Sequence, residues 1–120
     1  MNWNLDKDKP ICPQICAAFV IRIAGGEFDP NERLISVRDL AIEAGVNPNT
    51  VQKAYEQLES SGIIYSVRGS GWYVGENTET AKRLVTEMIA EKTAMYIRDM
   101  RALGVEREEI IKYIKEADNG

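Results

Sequence analysis

Between residues 36 and 62 the sequence alternates helix starts and helix stops, and this constrains the fold more than any other feature. Ser36 has the side chain of an N-cap, and Asp39 three residues on completes a capping-box pattern. Val37, Leu40, Ala41 and Ala44 then fall on one helical face, and Gly45 stands where a helix stops. Asn47 is a second N-cap with Pro48 at the first helical position. Val51, Ala54, Tyr55 and Leu58 make the apolar face of the helix that follows, which ends at Ser61-Gly62. Two short helices joined by a tight glycine-containing turn are a helix-turn-helix.

The flanks complete a larger unit. Pro10 suits the first turn of a preceding helix, whose apolar positions are Ile11, Ile15, Ala18, Phe19 and Ile23, with Gly25-Gly26 as its end. A turn-rich loop follows, and Arg33-Leu34-Ile35 reads as a short extended segment. After the second helix of the pair, Ile63–Val67 and Trp72–Val74 have β-type composition, with Arg68-Gly69-Ser70-Gly71 as the hairpin tip between them. Trp72 and Tyr73 are expected to pack the hairpin rather than stack on bases. A helix before and a hairpin after make the motif winged. Residues 1–9 are polar and charged, with isolated Trp3 and Leu5, and read as an arm.

Composition excludes several function classes. The chain has 120 residues, enough for one modest domain plus an appendage, and 44% are apolar, so a packed core is within reach. No apolar run reaches the roughly 18 residues of a membrane span, and the longest, Ile15–Ile23, is broken by Arg22. The first residues lack a basic and an apolar secretion signal, so a cytoplasmic location is expected. There is no histidine, which removes Ser-His-Asp, Cys-His and most zinc mechanisms. No nucleophile–base pair, metal cluster or phosphate-cradling loop is visible, so neither an enzyme nor a metal or cofactor is expected. Cys12 and Cys16 lie on one helical face and read as ordinary packing residues. The net charge of −4 predicts a weak sequence-independent attraction to any nucleic acid.

The second helix of the pair carries a polar stripe opposite its apolar one: Asn49, Gln52, Lys53 and Glu56. The two amides have the donor–acceptor pattern that pairs bidentately with adenine in the major groove, and Lys53 can reach guanine or phosphate. Thr50 flanks the stripe, and the helix N-terminus offers N–H groups and a positive dipole end to a phosphate.

Residues Pro10 to Val74 resemble the DNA-binding domain of GntR-type transcription regulators. The resemblance rests on Pro10-Ile11, Gln14-Ile15, Gly26-Glu27-Phe28, Leu34, Ser36–Ala41, Val46–Val51, Ala54, Leu58, Gly62-Ile63-Ile64, Arg68–Gly71 and Val74. Val46–Glu59 and the short helical tail are most similar to the YtrA-like branch. The resemblance implies DNA contacts from Arg38, Asn49, Thr50 and Gln52, with Arg68-Gly69 in the wing reaching the minor groove. Ser36, Asn47 and Lys53 join them as candidate DNA-binding residues.

The expected fold is mainly α with a small β-wing. Residues 1–75 would be the winged domain, and 76–120 a helical dimerisation tail. In that tail Ala81, Leu84, Val85, Met88, Ile89, Met95, Tyr96, Met100 and Leu103 form one apolar stripe, broken at Gly104 and followed by Ile110, Ile111 and Ile114. Leu84, Met88, Met95 and Leu103 are the candidate dimer contacts, since a second copy covers such a stripe economically. The methionines would also suit a small-molecule effector. The function expected is a homodimeric repressor on an inverted-repeat operator. A winged-helix protein-interaction module without DNA binding is the alternative.

Overall fold

The computed structural model describes residues 3–119. In chain order the elements are α1 (Ile11–Ala24), α2 (Val37–Ala44), α3 (Pro48–Ser60), β1 (Ile64–Val67), β2 (Gly71–Val74), α4 (Glu79–Ala102) and α5 (Arg107–Ala117). They form two compact units, Met1–Val85 and Thr86–Gly120. The first extends past residue 75 because Ala81, in the first turn of α4, is 1% exposed and belongs to its core.

In the first unit α3 is the hub, packed by α1, α2 and β1. The cap chemistry read from the sequence is in place. The Asp39 N–H donates to Ser36 Oγ at 3.1 Å, and the Asn49 N–H donates to Asn47 Oδ1 at 2.8 Å. Gly45 turns the chain between them with φ 68°, a left-handed conformation that a side chain would strain. The core is built from Ile15, Phe19, Ile23, Leu40, Val51, Tyr55, Leu58, Ile64 and Val74. Tyr55 sits among them edge-on to Phe19 at 5.5 Å and to Trp72 at 5.4 Å. Its buried hydroxyl donates to the Ile35 carbonyl at 2.7 Å, which meets the cost of burying it.

The wing pairs Ile64 with Val74, Tyr65 with Tyr73, Ser66 with Trp72 and Val67 with Gly71, antiparallel. Its first strand starts at Ile64 because the Ile63 N–H still serves the turn out of α3, donating to Leu58 O at 3.0 Å. The short extended segment before α2 lies along the free edge of β2. Leu34 N donates to Trp72 O at 2.8 Å, Val74 N to Glu32 O at 2.8 Å, and Arg33 bridges Tyr73.

The segment read as an arm is docked along residues 3–9. Trp3 packs on Phe19 at 5.3 Å, with the Arg22 guanidinium 4.7 Å from the Trp3 ring. Lys7 Nζ donates to the carbonyls of Ala44 and Gly45 at the end of α2, where cations suit the helix dipole.

In the second unit Gly104 (φ 88°) ends the α4 segment in a left-handed turn, and Val105 N donates back to Met100 O at 3.1 Å. Ile110 of α5 is 4% exposed, and a groove of about 420 Å³ is lined by Tyr96, Ile97, Arg101, Arg107, Ile110 and Ile111 among others. Ile89, Met95, Tyr96, Leu103, Ile111 and Ile114 are exposed. No helix among the described residues is long and apolar enough to cross a membrane.

Candidate nucleic-acid interface

The two faces of α3 separate as its sequence periodicity requires. Val51, Ala54, Tyr55 and Leu58 are buried, while Asn49, Lys53 and Glu56 are exposed and Gln52 is half-exposed. Gln52 Nε2 donates to Glu56 Oε1 at 3.1 Å, so one turn of helix holds the amide along the surface. Thr50 is half-buried at the edge of the stripe.

The backbone at the start of α3 is less open to a phosphate than the sequence suggests. Pro48 has no N–H, the Asn49 N–H is taken by the Asn47 side chain, and those of Thr50 and Val51 donate to Asn47 O at 3.0 and 3.3 Å. The dipole end remains, but a phosphate there would have to be held by side chains. Asn47 spends Oδ1 as a cap, and Ser36 spends one lone pair of its hydroxyl the same way, leaving the hydroxyl proton available.

Arg38 is exposed in the first turn of α2, and Arg68 is exposed in the wing turn beside Gly69 (φ 78°). Among the described residues neither has an ion-pair partner. The candidate residues therefore lie on three elements of one compact unit: the α2 start, the outward stripe of α3 and the wing tip.

Two residues to which the sequence assigned no site role hold this arrangement together. Arg33 Nη2 donates to the Ser70 carbonyl at 2.7 Å, and its guanidinium lies alongside Gly71, where a Cβ would sit 3.4 Å from Nε. The Ser70 hydroxyl meets the Tyr73 hydroxyl, and Tyr73 stacks on Tyr65 at 5.6 Å. Glu59, near the end of α3, accepts from Ser66 N at 3.0 Å and from Ser66 Oγ at 2.7 Å, tying the helix to β1. Nothing in their local sequence marks these roles, because both act on partners chosen by the tertiary fold.

Burial pushes the Tyr55 phenol upward, so it stays protonated and keeps its bond to Ile35.

This combination of an inward-packed second helix, outward amides on it and a braced, arginine-tipped hairpin is that of a winged helix-turn-helix of the DNA-binding kind. Residues 13–74 match the bacterial regulatory proteins of the gntR family. The chain is 42% identical to the HTH-type transcriptional repressor YtrA of Bacillus subtilis (strain 168), over 89% of this chain and 83% of the relative. A solved GntR family transcriptional regulator from Listeria monocytogenes superposes with a TM-score of 0.84 at 38% identity, covering 93% of this chain and 98% of that one. The AraR DNA-binding domain, solved in complex with operator ORX1, matches with a TM-score of 0.54 at 28% identity, over 62% of this chain and 92% of that one. The chain belongs to the GntR family and is similar to its YtrA-like members. Its relatives are transcriptional regulators rather than enzymes.

Proposed function

We propose that the protein is a homodimeric repressor that reads an inverted-repeat operator with α3 in the major groove and the wing at the minor groove. The observation that carries this reading is the stripe Asn49, Gln52 and Lys53, held outward on α3 by a fully buried opposite face. Asn49 and Gln52 pair with base edges, Gln52 exchanging its Glu56 partner for the base. Lys53, Thr50, Arg38 and Ser36 hold phosphates, and Asn47 sets the helix start. Arg68 enters the minor groove or binds its phosphates, with Gly69 allowing close backbone approach. Leu84, Met88, Met95 and Leu103 join two tails, so that half-sites fall about one helical turn, roughly 34 Å, or a multiple of it apart. The names of YtrA, a repressor, and of the operator-bound AraR domain support this reading.

The experiment is a binding titration on duplexes tiled across the DNA upstream of the protein's own reading frame. One fragment should bind well above the rest. Arg68→Ala should lower affinity for it and make the salt dependence shallower by about one unit of slope if the guanidinium meets phosphate. Equal, weak binding to every fragment would favour a protein-interaction module, for which the acidic balance of the chain is suited.

A further inference from the structure

A second arginine besides Arg68 stands at the wing turn, and it arrives from outside the hairpin. Arg33 lies in the extended segment before α2, whose backbone is fixed to β2 on both sides of it. Leu34 N donates to Trp72 O and Val74 N to Glu32 O, each at 2.8 Å, and Arg33 itself bridges Tyr73. From there its side chain runs along the bare backbone of Gly71 to the Ser70 carbonyl, to which Nη2 donates at 2.7 Å. Ser70 closes the turn by donating its N–H to Val67 O at 2.9 Å, and Arg68 and Gly69 lie inside that turn. The Arg33 guanidinium is therefore anchored to the same short turn that presents Arg68.

That anchor uses one donor. A guanidinium has five N–H groups in a planar fork, and Arg33 is exposed. Among the described residues the Ser70 carbonyl is its hydrogen-bond acceptor, and no carboxylate lies within ion-pair range of it. Arg22 differs, since its Nε pairs with Glu27 at 3.3 Å. Holding one carbonyl needs only a neutral donor. What the charge adds, in a chain of net charge −4, is a local cation with donors to spare, fixed on the wing. Because the side chain is already held, little of its conformational freedom remains to be lost on binding. The anion that matches a guanidinium fork is a phosphate. With the wing at a minor groove only about 6 Å wide, the phosphate backbones that wall the groove lie within reach of side chains flanking the tip.

We propose that Arg33 is a second DNA-phosphate contact of the wing, gripping the backbone beside the groove that Arg68 approaches while its bond to Ser70 keeps the turn in shape. The inference rests on the DNA-binding reading of the chain. The two arginines meet the duplex as separate charges, so their contributions to the salt dependence of binding add.

The test titrates full-length protein, over a range of salt, on the upstream fragment that the wild type selects. Arg33→Met keeps an apolar stem against Gly71 and removes the charge, whereas Arg33→Lys keeps the charge. Arg33→Met should lower affinity about tenfold near 0.1 M salt and make the salt slope shallower by about one unit. Arg33→Lys should hold the wild-type slope. Arg33→Met combined with Arg68→Ala should be shallower than Arg68→Ala alone by about one further unit. Weaker binding of Arg33→Met at an unchanged slope would overturn the proposal, leaving Arg33 a brace for the turn. A double variant with the slope of Arg68→Ala would overturn it as well, since Arg33 would then act only through Arg68. Should Arg33→Met fail to fold, Arg33→Gln supplies the uncharged comparison. A wild type that selects no fragment defeats the DNA-binding reading and the proposal together. One that selects a fragment, with Arg33→Met binding it unchanged, defeats the proposal alone.

Discussion

The winged unit and the tail spend their apolar residues in opposite ways. In the winged unit the large side chains close on one another, with Tyr55, Leu40 and Phe19 at 0% exposure. In the second unit Leu103 is 77% exposed and Met95 50%. Full burial of such a side chain stabilises by about 1.5–3 kcal/mol, so the tail leaves a substantial driving force unused in a single copy. One region is a finished core presenting polar groups, and the other leaves large apolar side chains exposed in a single chain.

The sharpest way to break this contrast is through stability. Leu40→Ala should destabilise the protein by about 2–5 kcal/mol, because a fully buried leucine leaves both a transfer loss and a cavity. Leu103→Ala, at a position 77% exposed, should cost the single chain within about 0.5 kcal/mol. Urea unfolding at dilute concentration measures both, and equal losses would remove the distinction. The next effect concerns assembly. Met95→Glu with Leu103→Glu should leave the winged unit folded yet give a monomer by sedimentation. It should also weaken binding to a palindromic duplex about a hundredfold, the gain that tethering a second domain supplies. A wild-type chain that is monomeric at micromolar concentration would contradict that reading of the tail.

The sequence and the structure agree where local chemistry decides. Ser36, Gly45, Asn47 and Pro48 are local signals, and the boundaries of α2 and α3 follow them closely. The buried face of α3 was legible because a period near four repeats over its whole length. The candidate interface was legible as far as which side chains point outward. What could not be read were contacts between residues far apart in sequence: Trp3 on Phe19, Arg33 on Ser70 and Glu59 on Ser66. The end of the first unit was equally hidden, since α4 continues without interruption through Val85 and only the burial of Ala81 marks what belongs to the core. The loss of free N–H groups at the α3 start followed from an N-cap that was itself recognised, a reminder that a capped helix end has already spent part of its donors.

The proposed function rests above all on base reading by the outward amides of α3. It is tested most directly by comparing Asn49→Ala and Gln52→Ala with the wild type on a specific and a scrambled duplex at one fixed salt concentration. Each substitution should reduce the specific-to-scrambled ratio by the equivalent of about 1–3 kcal/mol at one base pair per half-site, with scrambled-duplex affinity nearly unchanged. A ratio that stays at the wild-type value in both variants would show that α3 does not read DNA through these side chains.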